Sequence, residues 1–208
     1  MNSYFRLFLG LIIFVLLSSA AYARTQTILV YGDSLSAAYG MNIENGWVSL
    51  LGRQLAKEVC PDLKIHNASI SGETSGGGAT RLAATLDEFQ PQTVLLELGA
   101  NDGLRGYPIK LISEKLENMI DQIEQHGAQT VLLGVSLPPS YGPRYVDQFK
   151  DMFVTIADKR KIPFINLYNE AFYIKQGYMQ RDGLHPTEKA QPLIKDTMIK
   201  FLLNHELF

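Results

Sequence analysis

The chain has 208 residues and a formal net charge of −2, with 19 Lys and Arg residues against 21 Asp and Glu residues. This length is typical of one domain with a sizeable core, and no basic cluster indicates binding to nucleic acid or to an anionic membrane. The single cysteine, Cys60, cannot form an intrachain disulfide, and no Cys/His spacing resembles a zinc site. We therefore expect neither a nucleic-acid partner nor a bound metal.

An export signal is predicted at the amino terminus. An apolar run extends from Leu7 to Leu17, and residues 21–23 form a small-x-small cleavage site. This layout is typical of a secretory signal peptide, although residues 7–23 are almost long enough for an uncleaved membrane anchor. Cleavage after Ala23 is the favoured interpretation. It predicts a signal peptide over 1–23 and a single domain over 24–208 that is periplasmic or secreted and has no stable membrane insertion.

Beyond the signal, short apolar runs alternate with segments of helical periodicity. The five runs that predict strands are Thr27–Tyr31, Leu63–Ile65, Thr93–Leu98, Thr130–Val135 and Phe164–Ile165. Apolar residues spaced three and four apart predict helices over Trp47–Val59, Thr80–Phe89, Pro108–Gly127, Tyr145–Ile156 and Pro192–Leu202. Strands that alternate with helices indicate an α/β fold with a five-stranded parallel sheet that is covered on both faces.

Residues suited to a functional site follow four of the predicted strands. Ser34 follows the first strand, Gly72 and Glu73 the second, Asn101 the third and Pro138 the fourth. In open α/β sheets, ligands bind beyond the carboxyl ends of the strands. We therefore expect these residues to meet at one edge of the sheet.

Ser34 is a candidate nucleophile. A serine hydroxyl needs a histidine to accept its proton and a carboxylate to orient that histidine. Asp182 and His185 lie three residues apart in one turn, so the carboxylate can reach Nδ1–H of the imidazole and leave Nε2 facing Ser34. The alternative is that both segments are ordinary polar turns, with Ser34 or Asp33 as a helix N-cap.

An acyl hydrolase also needs hydrogen-bond donors for the oxyanion of its tetrahedral intermediate. Asn101 places an amide side chain directly after the third predicted strand. The backbone N–H of Gly72 can approach a ligand closely, because glycine has no side chain. Each segment taken alone fits a loop; taken together they fit one site.

Four segments resemble, in order, the sequence blocks of the SGNH (GDSL) hydrolases. They are Gly32-Asp33-Ser34-Leu35-Ser36, Gly72, Gly99-x-Asn101-Asp102 and Asp182-x-x-His185-Pro186, and the similarity covers essentially the whole chain after the signal. The resemblance implies a three-layer α/β/α sandwich of the flavodoxin-like type that needs no metal or other cofactor. It further implies that Ser34 is the nucleophile, that His185 is the general base and that Asp182 orients it. The implied oxyanion hole combines the backbone N–H groups of Ser34 and Gly72 with the Asn101 amide.

The acyl pocket is harder to predict. Glu73 and the glycine triplet Gly76, Gly77 and Gly78 follow the second strand, and we expect the triplet to form a flexible entry to the next helix, with a mobile lid as the alternative. Further candidates for substrate contact are Tyr107, Pro138 and Tyr141. Pro138 and Tyr141 fit a rigid connecting loop equally well, and Tyr107 is similarly ambiguous.

Three functions remain open. The first is hydrolysis of fatty acyl esters and thioesters, with lysophospholipids, aryl esters or acyl-CoA as small-molecule substrates. The second is O-deacetylation of carbohydrates, and the third is ligand binding without catalysis. The extent of the family resemblance favours the first, and no aromatic platform for sugars is evident. Binding alone does not require a catalytic triad. We expect the protein to be a monomer.

Overall fold

Five parallel strands form the centre of the computed structural model, which describes residues 26–168 and 175–207. The strands are β1 (Thr27–Gly32), β2 (Lys64–Asn67), β3 (Thr93–Glu97), β4 (Gln129–Val135) and β5 (Phe164–Tyr168). Their order in the sheet is β2-β1-β3-β4-β5, with every neighbouring pair parallel. Every residue of β1 and β3 is buried, which explains their continuous apolar sequences.

Helices cover both faces of the sheet. They are α1 (Trp47–Glu58), α2 (Ser75–Phe89), α3 (Ala100–Leu104), α4 (Ile109–Gln125), α5 (Pro143–Arg160) and α6 (Gln191–Asn204). Helix α1 packs on α6, while α4 packs between α2 and α5. The three layers and the strand order 2-1-3-4-5 confirm the predicted flavodoxin-like α/β/α sandwich. Within the described residues, no helix has the length and apolar character needed to span a membrane.

The strand order positions the candidate site. β1 lies between β2 and β3, and Gly32 at the end of β1 pairs with Glu97 at the end of β3. The chain therefore leaves β1 and β3 at adjacent points, where the order of the strands reverses and ligands bind in this class of fold. Ser34 and Asn101 each follow one of these two strands within a few residues.

The predicted element boundaries differ from the structure in two places near the site. Helix α2 begins at Ser75 and not at Thr80, because Thr74 caps it by accepting a hydrogen bond from the Gly77 N–H (3.2 Å). The glycine triplet thus occupies the first turns of a helix. Helix α3 was not predicted, since its five residues are too few to show helical periodicity. The predicted signal peptide, 1–23, lies outside the described residues.

Two glycines on helices should respond to alanine in opposite directions. A Cβ on Gly103 would lie 2.8 Å from atoms of both Leu137 and Phe149, which are buried, whereas a Cβ on Gly52 would meet only Ile65, at 3.7 Å. We expect Gly103→Ala to destabilise the fold by about 1–3 kcal/mol through overpacking. Gly52→Ala should stabilise it by about 0.4–1 kcal/mol through lower entropy of the unfolded chain. Chemical denaturation of both variants measures the two signs, and a stabilised Gly103→Ala variant would contradict the packing.

Candidate active site

Three side chains from the two ends of the described chain form a hydrogen-bonded relay. His185 Nε2 lies 2.8 Å from Ser34 Oγ, and His185 Nδ1 lies 2.8 Å from Asp182 Oδ2. An ionised carboxylate only accepts hydrogen bonds, so the ring proton belongs on Nδ1 and Nε2 is free to accept the Ser34 hydroxyl proton. This is the arrangement that converts a serine into a nucleophile.

Asp182 both shapes its turn and orients the imidazole. Its Oδ1 accepts hydrogen bonds from the backbone N–H groups of Leu184 (2.9 Å) and His185 (3.0 Å), while its Oδ2 faces the His185 ring. Partial desolvation opposes ionisation of this carboxyl, but the hydrogen bonds from the ring and the two N–H groups outweigh it and lower the pKa of Asp182 below its ordinary value. Asp182 is therefore ionised throughout the neutral range.

Gln180 joins the serine segment to the histidine turn. Its side-chain amide donates hydrogen bonds to the carbonyl of Tyr39 (2.9 Å) and to the carbonyl of Pro186 (3.0 Å), and its backbone N–H donates to the carbonyl of His185 (2.8 Å). One side chain thus holds together two segments that are almost 150 residues apart in sequence. The sequence analysis missed Gln180, since nothing local to it indicates which carbonyls it reaches.

Of the predicted oxyanion donors, Asn101 lines the same cleft as Ser34. Within residues 26–168 and 175–207, the backbone N–H groups of Ser34 and Gly72 have no hydrogen-bond acceptor. Gly72 has φ +81°, a conformation that disfavours any side chain. The Asn101 amide nitrogen donates to Asp33 Oδ2 and to the carbonyl of Glu73, both at 3.0 Å. These two acceptors fix the plane of the amide, and one of its hydrogen bonds must be exchanged when Asn101 binds an oxyanion.

Two buried carboxyl groups lie beneath the serine segment. Asp33 Oδ1 accepts a hydrogen bond from the Leu35 N–H (3.0 Å), and Glu97 Oε2 accepts one from the Ser36 hydroxyl (2.9 Å) and one from the Asp33 N–H (3.3 Å). Burial raises the pKa of Asp33 to about 6. Burial, reinforced by the negative charge of Asp33, raises the pKa of Glu97 well above its ordinary value. Burial therefore favours the protonated form of Glu97 in the folded protein.

Replacement of Glu97 with glutamine should flatten the dependence of stability on pH. The folded chain retains a proton on Glu97 that the unfolded chain releases above pH 4.5, so the wild-type protein loses free energy of unfolding as pH rises from there toward the folded pKa. Glutamine is neutral in both states and removes this contribution. Urea denaturation of both proteins between pH 5 and 8 measures it, and parallel curves for the two proteins would contradict a protonated Glu97.

A narrow cleft adjoins the serine and the Asn101 amide. Its volume is about 130 Å³, and its walls are mostly apolar. The apolar residues that line it are Leu35, Ala100, Leu104, Leu137, Pro138 and Leu184. Of the seven residues suggested for substrate contact, only Pro138 is among them. A place for these leucines in the cleft could not be predicted from sequence, because their spacing is equally typical of core residues.

The other six lie outside the lining of this cleft and stay predictions. The Glu73 carboxylate forms an ion pair with Arg81 of α2 at 2.7 Å, and its side chain is only 14% exposed. Gly76, Gly77 and Gly78 belong to α2, and Gly78 packs against the core. The two remaining candidates hydrogen-bond to helices: the Tyr141 hydroxyl donates to the carbonyl of Leu104 in α3, and the carbonyl of Tyr107 accepts from the Tyr145 hydroxyl in α5.

Comparison with known proteins agrees with this geometry. A model of the GDSL-like lipase/acylhydrolase family matches residues 30–192. The chain is 43% identical to an arylesterase of Vibrio mimicus over 95% of its own length and 98% of the relative's. It is 38% identical to thioesterase 1/protease 1/lysophospholipase L1 of Escherichia coli strain K12, over 99% of this chain and 98% of that protein.

A solved structure extends the comparison to the fold. The psychrotrophic esterase EstA from Pseudoalteromonas sp., in a structure inhibited by monoethylphosphonate, superposes with a TM-score of 0.83 at 43% identity, covering 88% of this chain and 100% of that one. In the part of the chain that the structure describes, no group of three or more His, Cys, Asp or Glu side chains is arranged to hold a metal ion. The family match, the two relatives and the shared fold all lead to one assignment: this chain belongs to the GDSL-like lipase/acylhydrolase family.

Proposed function

We propose that this protein is a serine hydrolase of carboxylic esters and thioesters, with Ser34 as nucleophile, His185 as general base and acid, and Asp182 as the carboxylate that orients His185. The observation that carries the proposal is the relay of two 2.8 Å hydrogen bonds from Ser34 through His185 to Asp182. The names of the relatives, an arylesterase and a thioesterase/lysophospholipase, support the same reaction class.

Acylation begins when Ser34 Oγ attacks the substrate carbonyl carbon. The hydroxyl proton passes to His185 Nε2 as the Oγ–C bond forms, and the electron pair of the carbonyl moves onto its oxygen. The N–H groups of Ser34 and Gly72 and the Asn101 amide stabilise that oxyanion. As the intermediate collapses, the bond to the leaving oxygen or sulfur breaks, and the leaving atom takes the proton from Nε2.

Deacylation repeats these steps with water as the nucleophile. His185 Nε2 removes a proton from water, the hydroxyl adds to the acyl carbon, and the Ser34–acyl bond breaks as Oγ regains its proton. Asp182 keeps the imidazole in one tautomer through both halves and stabilises its charged form. The products are a carboxylic acid and an alcohol or thiol.

The cleft beside Ser34 suits the acyl group. Its apolar walls match an alkyl chain, and its volume of about 130 Å³ is below the 300–1,000 Å³ typical of pockets that enclose a drug-sized ligand. The cleft therefore holds the first carbons of the chain, and a longer chain continues over the surface near Pro138. This arrangement supports fatty acyl esters as substrates and does not restrict the enzyme to acetate.

Export narrows the choice of natural substrate. With residues 1–23 as a cleaved signal peptide, the mature enzyme is periplasmic or secreted, where it does not meet acyl-CoA, a cytoplasmic metabolite. Lysophospholipids and other envelope esters are then the physiological substrates, and thioester hydrolysis is a capability of the same site. The protein acts as a monomer and needs no cofactor.

Hydrolysis of p-nitrophenyl esters from acetate to palmitate, with an acetylated xylan in parallel, tests the proposal. We expect turnover of butanoate and longer esters together with little release of acetate from the polysaccharide. Activity confined to acetate esters, with efficient deacetylation of the xylan, would instead indicate a carbohydrate deacetylase. Inertness toward every ester would overturn the enzymatic assignment.

A further inference from the structure

We propose that an open groove beside His185 binds the leaving group and that Arg181 in this groove selects leaving groups carrying a negative charge. The inference rests on the proposed function and adds the acceptor side of the substrate to it. The groove has a volume of about 770 Å³ and is lined by Tyr39, Gly40, Gln180, Arg181 and Asp182.

The groove and the acyl cleft meet at the catalytic pair. No residue lines both spaces, but His185 lines the cleft, Asp182 lines the groove, and the two are joined by a hydrogen bond of 2.8 Å. The ring of Tyr39, which also lines the groove, packs against the His185 ring with centroids 4.3 Å apart. Two residues that line the groove, Tyr39 and Asp182, thus contact the His185 ring directly.

The chemistry requires two separate spaces at this point. His185 Nε2 must donate a proton to the leaving oxygen or sulfur, so that atom lies next to the imidazole in the transition state. The acyl chain extends from the same carbonyl carbon into the apolar cleft. The remainder of the leaving group must extend elsewhere, and the groove along His185 is the open space that adjoins the pair.

The groove is held in one shape. Gln180, which lines the groove, donates hydrogen bonds to the carbonyl of Tyr39, also in the lining, and to the carbonyl of Pro186. Gly40 has φ +75°, and a Cβ there would lie 2.8 Å from Gln180 Oε1, so the glycine allows Gln180 to approach. A groove whose walls are fixed in this way loses little entropy when a ligand binds.

Charge identifies what the groove selects. The negative charge of Asp182 is engaged by the His185 ring and by two backbone N–H groups. Arg181 is exposed and forms no ion pair with any described residue. Arg181 thus brings to the groove a guanidinium with no counter-charge among residues 26–168 and 175–207, a group that pairs well with phosphate or carboxylate. Phosphate is the group shared by lysophospholipid head groups and coenzyme A.

Two chromogenic esters with the same acyl group test the role of Arg181. We would compare 3-butanoyloxy-4-nitrobenzoate, whose leaving group carries a carboxylate, with the uncharged 2-nitrophenyl butanoate. Both esters form the same butanoyl-enzyme, so only the acylation step can distinguish them. We expect Arg181→Gln to lower kcat/KM for the anionic ester about fivefold to tenfold, which corresponds to about 1–1.4 kcal/mol for one screened charge pair. The neutral ester should change less than twofold.

Arg144→Gln is the matched control. Arg144 is an exposed arginine at the start of α5, outside the lining of both spaces, so this variant changes the net charge equally. The wild-type preference for the anionic ester should also decrease as the salt concentration rises from 0.05 to 1 M. Equal losses for both esters, or the same loss in Arg144→Gln, would overturn the proposal. Failure of the wild-type protein to hydrolyse either ester would instead count against the proposed function.

Natural leaving groups then separate the two sources of phosphate. The Arg181→Gln variant is assayed with lysophosphatidylglycerol and with butanoyl-CoA. A fall in kcat/KM confined to the lysophospholipid identifies a head-group site, and a fall confined to butanoyl-CoA identifies a coenzyme site. Unchanged kcat/KM for both would contradict selection of phosphate by this groove.

Discussion

The Ser34→Ala variant is expected to lose about 10⁴–10⁶-fold in kcat toward every ester, and adding His185→Ala to it should cost almost nothing more. Ser34 and His185 act as one unit, because the hydroxyl is a weak nucleophile until Nε2, 2.8 Å away, removes its proton. Once either group is absent, the other has no reaction to assist. The single variants and the double variant should therefore have nearly equal residual rates.

Single-turnover kinetics of the three variants with p-nitrophenyl butanoate measure this equality. Labelling with an alkyl p-nitrophenyl phosphonate provides a second readout, since attack by Ser34 Oγ on phosphorus expels p-nitrophenol and should add the mass of one phosphonyl group to the wild-type protein and none to Ser34→Ala. A near-native rate in Ser34→Ala, or a double variant whose loss equals the product of the two single losses, would contradict the shared mechanism. Urea denaturation checks that each variant is folded.

The fold was predictable because its signals are local and repeated. β1 and β3 are buried on both faces, so their apolar runs are continuous, and the stripe along α4 reflects a single buried face. The catalytic residues follow from their order and spacing together with the family resemblance. Asp182 and His185 can be paired from sequence because a separation of three residues in one turn brings their side chains together.

What could not be predicted depends on contacts between distant segments. Gln180 reaches the carbonyl of Tyr39 across 141 positions of the sequence, and nothing in the local sequence of either residue encodes that contact. The glycine triplet illustrates the opposite error. Local preference places Gly76–Gly78 in a loop, but the Thr74 cap and the fit of Gly78 against Leu98 favour a helix there. Tertiary packing outweighs the low helix propensity of glycine.

The buried carboxyl groups of Asp33 and Glu97 connect the motif that could be predicted from sequence to contacts that could not. Asp33 precedes Ser34 in the motif, and its buried side chain accepts a hydrogen bond from the Asn101 amide. Glu97, at the end of β3, accepts hydrogen bonds from the Asp33 N–H and from the Ser36 hydroxyl. The nucleophile segment and the oxyanion donor are thus positioned by one connected set of hydrogen bonds.

Asn101→Ala should therefore lower kcat and kcat/KM together by about 10²–10³-fold, or about 2.7–4 kcal/mol of transition-state stabilisation. The amide binds the oxyanion only once the tetrahedral intermediate develops, so its loss should leave KM nearly unchanged. The same change removes a hydrogen bond to the buried Asp33 carboxylate, which should raise the pKa of Asp33 further above 6 and destabilise the fold by about 1–3 kcal/mol at neutral pH.

Asn101→Asp separates the donor from the shape of the side chain. Aspartate has the same size as asparagine, but when ionised it cannot donate a hydrogen bond and places a negative charge where the oxyanion forms, so its activity should fall below that of Asn101→Ala. Asn118→Ala is the control and should retain wild-type kinetics, because Asn118 is an exposed asparagine on α4 whose side chain, among the described residues, hydrogen-bonds only to Gln122. The measurement is steady-state kinetics of the three variants and the wild-type protein, at equal concentrations of folded protein. Equal activity in Asn101→Asp and the wild-type protein would exclude the amide from the oxyanion hole, because aspartate lacks the amide donor and adds a negative charge at that point.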